Sequence, residues 1–482
     1  MNICVKHTDL LVSNIHTRMP FKYGIATLTA VPHLVVRVTL EVDGNISIGL
    51  SADNMPPKWF TKNPEQSFDE ELMNMSRVIK SAVEFAKQAG VCKNVFDLWK
   101  KVYDRQMQWG LENEYPPLLW SFGVSLIERA VIDAFCKATG QTLAEALYEN
   151  RLGIDFGALK QELTGMAPAD VLPSVPLRQI NLRHTVGLSD PLTDDEIPEH
   201  ERVSDDLPQS LSACIQAYNL RYFKIKLCGK EEVDTERLKR IAGILNEQGI
   251  HDYRFTLDGN EQFTDLNSLK TFWQHLKETP LAEDFLTRLI VMEQPFHRDI
   301  ALNDDIADGL KEWDDHPPMI IDESDGTLDS LQKALDIGYS GVSHKNCKGI
   351  FKGLYNAALI SYNKGLKPDS FYILTAEDLT NIGPFALNQD LAMVSILGIG
   401  HVERNGHHYF YGLSFFNKNL QQAALHAHPD LYEEKSTITL LKIKDGLIQT
   451  GSVVDAPFGY DFEPDLSDFI PLEEWAYESL NE

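Results

Sequence analysis

The hexapeptide YFKIKL, residues 222–227, carries a lysine at every second position. On a β-strand successive side chains point to opposite faces, so Lys224 and Lys226 share one face and the three apolar residues share the other. If the apolar face packs against helices, both ammonium groups point into the fold. Two buried like charges are costly unless anions or a metal site offset them. A solvated edge strand is the alternative that this hexapeptide alone leaves open.

Short apolar segments of this kind alternate with amphipathic stretches over the rest of the chain. We predict strands near residues 179–186, 222–227, 254–259, 288–294, 318–323, 341–345, 371–377 and 399–404. Helical patterns, for example over 233–248 and 328–337, separate most of them. Eight strands that alternate with helices over about 250 residues are typical of a (β/α) barrel. A doubly wound open sheet is the alternative, because sequence does not reveal closure. No Gly-rich phosphate-binding motif follows a strand, so a nucleotide-binding fold has little support.

The N-terminal region has a different pattern. Residues 34–42 show the period of two of a half-buried strand, and a turn at Asp43-Gly44 leads to a second strand over 46–50. A helical pattern follows over 68–147, and within it the segment SLIERAVIDAF, ending at Phe135, precedes a stop signal at Gly140. Strands followed by helices predict an α+β domain that ends near residue 155.

The predicted domains are an α+β domain over 1–155, the barrel over 175–434 and a β-like C-terminal segment over 435–482. Residues 189–211 carry eight acidic residues against one arginine, which predicts a solvated insertion, or part of a lid.

Two irregular stretches near the N-terminus, residues 19–24 and 53–60, combine aromatic residues with Gly or Pro and a lysine. We interpret them as loops that contact a ligand through residues such as Tyr23 and Trp59. Ordinary connections with one anchoring aromatic residue are the alternative.

Three of the predicted strands end in a carboxylate, at Asp258, Glu293 and Asp322, and about one βα unit separates each from the next. Such strand ends meet on one rim of a barrel, and a ring of hard oxygen ligands suits Mg²⁺. An EF-hand loop starting at Asp258 is excluded, because its positions 6 and 12 would be Phe263 and Leu269. A single carboxylate after a strand usually belongs to a turn or N-cap, but three in register favour a metal site.

The next predicted strand ends at Lys345, one unit beyond Asp322. In a barrel this order puts lysines on opposite sides of a central metal. Removing a proton α to a carboxylate creates an enediolate, whose extra charge a nearby cation can hold. The ordinary lysine pKa of ~10.4 would move towards the ~7–8 useful for a base if a second lysine and a divalent metal lie nearby.

Composition excludes several classes of function. Of 482 residues, 43% are hydrophobic and 24% charged, as in ordinary globular proteins. The formal charge of −27 repels nucleic acid and anionic lipid at long range. Since we find no 18-residue apolar span and no signal peptide, we expect a cytoplasmic protein with no membrane or nucleic-acid partner.

Six cysteines lie far apart without a CxxC pair. They fit buried free thiols of a reducing compartment, and zinc ligation is not favoured.

Together these motifs resemble the enolase superfamily, in its mandelate racemase/muconate lactonizing enzyme branch of the lysine–lysine barrel type. The resemblance covers most of the chain and includes the SLIERAVIDAF segment and the Asp43-Gly44 hairpin. It implies a modified (β/α)₇β barrel, an N-terminal α+β capping domain and a C-terminal segment that returns to the cap.

The resemblance also implies roles for individual residues. Lys226 matches the family's base and Lys224 its assisting lysine, while Lys345 matches the lysine of the sixth strand. The three ligands of one Mg²⁺ match Asp258, Glu293 and Asp322. Glu323 lies next to this set.

The chain also departs from the family. Glu377 takes the place of the usual acidic residue on the seventh strand, and the eighth strand lacks the D-x-D of dipeptide epimerases, which puts dipeptide epimerisation in doubt. The predicted substrate contacts are Asn260, Glu323, Glu377, Tyr23, Trp59 and His407.

We therefore expect Mg²⁺-dependent removal of the α-proton of a small carboxylate substrate, giving racemisation, epimerisation or β-elimination, by an enzyme that forms a homo-oligomer. A cycloisomerase of the muconate-lactonizing type is an alternative. A metal-dependent barrel hydrolase would need zinc-ligating histidines, and His184, His344 and His401 share no convincing pattern. A non-catalytic binding protein would predict a broken set of lysines and ligands, but all six positions are filled.

Overall fold

The computed structural model describes residues 1–481, and its N-terminal region is built on a long antiparallel sheet. The first three strands are β1 (Ile3–Tyr23), β2 (Ala26–Val42) and β3 (Asn45–Asn54). β2 pairs with both neighbours. The β2–β3 turn is Asp43-Gly44, with φ values of 48° and 89°, the left-handed conformation that a tight hairpin of this kind requires.

Four helices follow the sheet; the first and third pack directly against it, and the second and fourth pack against the third. They are α1 (Phe68–Gln88), α2 (Val95–Glu112), α3 (Pro117–Thr139) and α4 (Leu143–Tyr148). α3 is buried along most of its length and contains the predicted helical segment, ending at Gly140 with φ 65°. It approaches β3 so closely that a Cβ on Gly49 would lie 2.1 Å from the carbonyl oxygen of Ala130.

Eight parallel strands follow, each within two residues of its predicted bounds. They are β4 (Gln179–Val186), β5 (Tyr222–Lys226), β6 (Arg254–Asp258), β7 (Leu289–Glu293), β8 (Met319–Ile321), β9 (Gly341–His344), β10 (Ile373–Ala376) and β11 (His401–Arg404). The helices between and after them are α5 (Leu211–Tyr218), α6 (Glu231–Glu247), α7 (Leu266–Lys277), α8 (Asp304–Lys311), α9 (Ser330–Ile337), α10 (Ile350–Leu366), α11 (Ala386–Ile396), α12 (Gly406–Tyr409) and α13 (Lys418–Ala427). None of the helices described in residues 1–481 is both long and apolar enough to cross a bilayer.

The parallel sheet curls on itself. β4 to β10 pair in sequence order, and β5 and β11 pair with opposite edges of β4. β10 also lies against β11, although no ladder of hydrogen bonds joins these two strands in the described part of the chain. Inside the curl, Lys224 on β5 lies 2.7 Å from Glu377, just beyond β10. A doubly wound sheet would reverse its strand order instead, so the predicted α/β barrel is confirmed and the open sheet is wrong.

Strand β5 carries charge into this interior. Phe223 and Ile225 belong to the apolar core, whereas Lys224 points inward and is only 1% exposed. Because β5 pairs with β4 on one side and β6 on the other, the solvated edge strand is excluded.

The C-terminal segment contacts both earlier parts of the molecule. Its elements are β12 (Tyr432–Lys435), β13 (Ile438–Leu441), β14 (Leu447–Gln449), α14 (Gly451–Asp455) and β15 (Ile470–Pro471). β12 and β13 form a hairpin, β14 pairs antiparallel with β4 of the barrel, and β15 pairs with β1 of the N-terminal sheet.

Two predictions of irregular structure need correction. Residues 19–23 are not a loop but the end of β1, since the β1–β2 hairpin continues past a register shift and turns only at Gly24. Residues 189–211 are irregular, as predicted, with short 3₁₀ turns, but they are not simply solvated. Arg18 of β1 donates to Asp205 at 2.7 Å, which ties this insertion to the N-terminal sheet.

Candidate active site

A cavity lies where the barrel strands end beneath the β1–β2 hairpin. Its roof includes the tip of β1 and the loop after β3, and its floor consists of charged side chains at the strand ends. The predicted site residues that line it are Tyr23, Trp59, Lys224, Lys226, Asn260, Asp322, Glu323, Lys345 and Glu377. Asp258 and Glu293 lie directly beneath them, 2% and 0% exposed.

Lys224 occupies the centre of a carboxylate cluster. Its Nζ lies 2.9 Å from Asp258, 3.1 Å from Glu293, 2.7 Å from Glu377 and 2.8 Å from Glu403. Burial alone would lower the pKa of Lys224, but these carboxylates outweigh burial and raise the pKa well above its ordinary value. The ammonium group thus offsets part of the negative charge that the strands bring together.

Two further lysines flank the cluster. Lys226 donates to Asp258 Oδ2 at 2.5 Å, and Lys345 donates to Asp322 Oδ2 at 2.8 Å. Lys226 ends β5 and Lys345 follows β9, four strands further round an eight-stranded barrel, so the two ammonium groups face the cavity from opposite sides.

The surroundings of these lysines act against the predicted fall in their pKa. Burial lowers the pKa of Lys226 and of Lys345, yet the neighbouring carboxylates outweigh it and raise both. A lysine pKa near neutrality therefore requires a cation that offsets the charge of these carboxylates.

A metal ion would find a fitting set of oxygen atoms here. Carboxylate oxygens of Glu293, Asp322 and Glu377 all lie within 4.8 Å of one another. Oε2 of Glu293 and Oε2 of Glu377 are buried and accept no well-oriented hydrogen bond from the described residues, although Lys224 Nζ lies 3.1 Å from the first and Lys345 Nζ lies 3.2 Å from the second. Burial and the charge of Glu377 raise the pKa of Glu293 well above its ordinary value. Carboxylate oxygens of this kind are the hard ligands that Mg²⁺ prefers.

This grouping differs from the predicted ligand set in one member. Asp258 lies outside the group of three whose oxygens are within 4.8 Å of one another. Its Oδ2 accepts from Lys226, and its Oδ1 accepts from the backbone N–H of Asn260 at 2.7 Å. Burial would raise the pKa of Asp258, but Lys224 and Lys226 lower it to about 2. Asp258 adjoins the cluster through Lys224, while Glu377, predicted as a substrate contact, lies among the carboxylates.

Gln294 holds the strand end that carries Asp322. Its Oε1 accepts from the backbone N–H groups of Asp322 at 2.8 Å and of Ser324 at 3.0 Å. Its Nε2 donates to Phe296 O at 2.8 Å. One buried amide thus fixes the turns that follow β7 and β8.

Glu323 and Asn260 meet at the cavity wall. Nδ2 of Asn260 lies 3.5 Å from Oε1 of Glu323, and Oε2 of Glu323 has no hydrogen-bond partner among the described residues. Burial, and then the charge of Asp322, raise the pKa of Glu323 to about 7. A neutral Glu323 can donate a hydrogen bond to an anionic ligand.

The roof is pinned to the barrel by buried polar contacts. Tyr23 donates its hydroxyl to Pro57 O at 2.6 Å. Arg298 donates to Trp59 O at 3.0 Å and to Glu261 at 2.9 Å. These contacts hold the indole of Trp59 above the site, where its ring lies 4.6 Å from Lys345 Nζ.

Sequence reasoning missed three charged residues of the site. Glu403, the penultimate residue of the eighth strand, contacts Lys224, and the alternation of residues 401–404 could have indicated that it faces inward. Lys348 donates to Asp322 Oδ1 at 2.8 Å from the turn after β9. Arg183 donates to Glu377 at 3.0 Å, a contact that only barrel closure brings about.

His407 is the predicted site residue that lies elsewhere. It lines a second cavity behind the β11 strand end, and its ring packs 5.6 Å from that of Tyr218. The prediction that it contacts substrate is not supported, since the chain turns into α12 after Arg404 and carries the imidazole away from the barrel axis.

The fold matches that of several solved structures. A mandelate racemase/muconate lactonizing protein from Herpetosiphon aurantiacus is 14% identical, with a TM-score of 0.63 over 95% of this chain and 99% of that chain. A dipeptide epimerase from Enterococcus faecalis V583, complexed with Mg and the dipeptide L-Leu-L-Tyr, is 13% identical, with a TM-score of 0.60 over 95% and 100% of the two chains. A muconate lactonizing enzyme from Pseudomonas fluorescens, complexed with muconolactone, is 14% identical, with a TM-score of 0.61 over 96% and 98%.

Comparison of sequences gives no such match. No family profile matches the chain, and no curated protein matches it in sequence. The structural likeness therefore establishes the fold.

Proposed function

We propose that this protein, which has the fold of the enolase superfamily in its mandelate racemase/muconate lactonizing enzyme form, is a Mg²⁺-dependent enzyme that removes the α-proton of a small carboxylate substrate. The observation that carries the proposal is the pair of lysines, Lys226 and Lys345, that face one cavity from opposite sides with buried carboxylates between them.

The metal-binding part of the proposal rests on the carboxylate cluster. Asp258, Glu293 and Asp322 would hold the ion, and Glu377 is the further carboxylate within reach. Mg²⁺ bound there would supply a positive charge for the substrate carboxylate, whose negative charge grows as the α-proton leaves. The buried Oε2 atoms of Glu293 and Glu377, which accept no well-oriented hydrogen bond from the described residues, support this assignment.

The lysines are the proposed bases. Asp258 holds Lys226 at 2.5 Å and Asp322 holds Lys345 at 2.8 Å, so each candidate metal ligand also orients one lysine. A neutral lysine on either side would take the proton from one face of the α-carbon, and the protonated lysine opposite would return one to the other face. Lys224, surrounded by carboxylates, would stay protonated and assist as a fixed charge.

Two facing bases favour racemisation or epimerisation among the reactions that share this first step. β-Elimination needs only one base, with the second lysine acting as a cation. Cycloisomerisation remains a further outcome, since one structural neighbour is a muconate lactonizing enzyme.

Exchange of the α-proton with solvent tests the proposal. With Mg²⁺ in deuterated water, N-acylated amino acids, α-hydroxy acids and dipeptides would be screened by NMR for α-deuteration. Lys226→Ala should stop exchange from one enantiomer and Lys345→Ala from the other; if one variant loses all exchange and the other keeps part, the reaction is a one-base elimination. Lys333→Ala, at an exposed position on α9, is the matched control. Full exchange in the Lys226→Ala/Lys345→Ala double variant would overturn the proposal.

A further inference from the structure

A second cluster of metal-ligating side chains lies outside the barrel wall. Strand β4 turns Arg183 and Thr185 inward, where they contact Glu377 and Glu403. The period of two therefore turns His184 outward, towards α5 and α12. There it meets two side chains that sequence spacing does not connect, Cys214 of α5 and His408 of α12, and all three are at most 3% exposed.

The distances in this cluster suit a tetrahedral metal. One ligand atom from each of Cys214, His184 and His408 lies within 4.8 Å of the other two. Sγ of Cys214 lies 3.6 Å from Nδ1 of His408. Zinc bonds of about 2.3 Å to sulfur and about 2.0–2.1 Å to nitrogen, at tetrahedral angles, put S and N about 3.6 Å apart.

An imidazole nitrogen of His407 lies beside these three residues. Nε2 of His407 lies 3.3 Å from Nδ1 of His184, which is the separation of about 3.3 Å between two nitrogen ligands of one zinc ion. Nδ1 of His407 is buried and has no hydrogen-bond partner among the described residues. His407 contacts one of the three proposed ligands, although it lies outside the group whose ligand atoms are all within 4.8 Å of one another.

Two of the three ligands already have the charge state that such a metal requires, and the thiol would lose its proton on binding. Burial lowers the pKa of His184 to about 4 and that of His408 well below its ordinary value, so both imidazoles are neutral. Burial raises the pKa of the Cys214 thiol, which a bound cation would reverse. Hard cations such as Mg²⁺ prefer the carboxylates inside the barrel, whereas thiolate and imidazole select zinc-type ions.

We infer that Cys214, His184 and His408 form a second metal site, specific for Zn²⁺ or a similar borderline-soft divalent cation, with His407 or water in the fourth position. The site is separate from the proposed reaction. It would join β4, α5 and α12, and so fix the chain just beyond the eighth strand, next to Glu403.

Co²⁺ provides a direct test, because a thiolate bound to Co²⁺ adds a near-ultraviolet charge-transfer band that carboxylate ligands cannot produce. Metal-free protein would be titrated with Co²⁺ in excess Mg²⁺, and then with Zn²⁺. We expect one equivalent of the thiolate band, lost when Zn²⁺ displaces Co²⁺, and Zn²⁺ binding at least tenfold weaker in Cys214→Ala and His408→Gln. Cys136→Ala, at a buried cysteine of α3, should keep the band.

Absence of the band in the wild-type protein would overturn the inference without any variant. Retention of the band in Cys214→Ala would overturn it as well. Thermal melting gives a second readout: Zn²⁺ should raise the Tm of the wild type and of Cys136→Ala but not that of Cys214→Ala, and an equal rise in all three would contradict the site. None of these results depends on α-proton exchange, so the site and the proposed activity can fail separately.

Discussion

Neighbouring residues of one barrel strand face different kinds of polar group on the inner and outer faces of the barrel wall. On β4, Arg183 faces a carboxylate inside, and His184 faces a thiol and imidazoles outside. The inner face keeps its charges because each lies within about 3 Å of an opposite charge. On the outer face of β4, packed against helices, the groups around His184 are ones that are neutral when buried. The comparison teaches that strand alternation alone can separate a hard-ligand centre from a soft-ligand one.

The largest effect should follow from removing the central inner charge. Lys224→Met leaves four buried carboxylates without their shared ammonium group, and breaking buried pairs of this kind costs about 3–5 kcal/mol. We expect the free energy of unfolding, measured with urea in EDTA, to fall by that amount, and added Mg²⁺ to restore part of it. The exposed control Lys333→Met should stay within about 0.5 kcal/mol. A Lys224→Met variant as stable as wild type in EDTA would show that the inner charges do not compensate one another.

The second prediction concerns the inner ligands. Asp258→Asn should weaken Mg²⁺ binding at least tenfold and abolish activity with the fold intact, as measured by calorimetry and circular dichroism, because it removes a carboxylate from the cluster. Glu377→Gln tests the alternative grouping in the same way. Asp336→Asn, on the exposed side of α9, is the control. Unchanged Mg²⁺ affinity in Asp258→Asn would remove this residue from the ligand set.

Acid should lower the free energy of unfolding through the buried histidine on the outer face of β4. An ordinary histidine pKa is about 6.5, while burial lowers that of His184 to about 4. Between these pH values the unfolded chain binds a proton that the folded chain does not, so the free energy of unfolding decreases as the pH falls from about 6.5 to about 4. In metal-free buffer His184→Gln should reduce this decrease, whereas His200→Gln, at an exposed position, should not. Identical pH slopes for wild type and His184→Gln would contradict the assignment.

The smallest effect belongs to the roof, which supplies none of the proposed metal ligands or bases. Trp59→Ala removes the ring 4.6 Å from Lys345 Nζ but no ligand of the carboxylate cluster. KM, or the preference among substrates, should change several-fold while Mg²⁺ affinity stays the same. Tyr23→Ala should act in the same way, and Tyr23→Phe, which loses only the bond to Pro57, less. If neither alanine variant affects any substrate, the cap is structural only.

The barrel was predictable because strand periodicity and strand-end chemistry repeat. The apolar alternation of 222–227 gave both the location of β5 and the inward direction of its lysines. One carboxylate per βα unit then indicated where the neighbouring strands end. These are local properties of the chain, and the structure agrees with them to within two residues.

Contacts across the barrel could not be predicted in this way. Glu403 meets Lys224, and Arg183 meets Glu377, only because the sheet curls on itself. The direction of His407 depends on the turn into α12, and the strand character of residues 19–23 depends on pairing with β2. The cluster around Cys214 joins segments that are far apart in sequence, so no spacing of residues along the chain indicates it.

The pairing of β15 with β1 bears on how the protein is made. Leu11 lies opposite Pro471, so the partner of this early strand is synthesised only after both the barrel and the C-terminal hairpin. Until then the β1 edge of the sheet carries unpaired backbone groups, which can recruit a strand from another nascent chain. The Arg18–Asp205 contact can form much sooner and would shield part of β1 during this interval. Slow translation of the last segment should therefore prolong the exposure of this edge and promote aggregation on the ribosome.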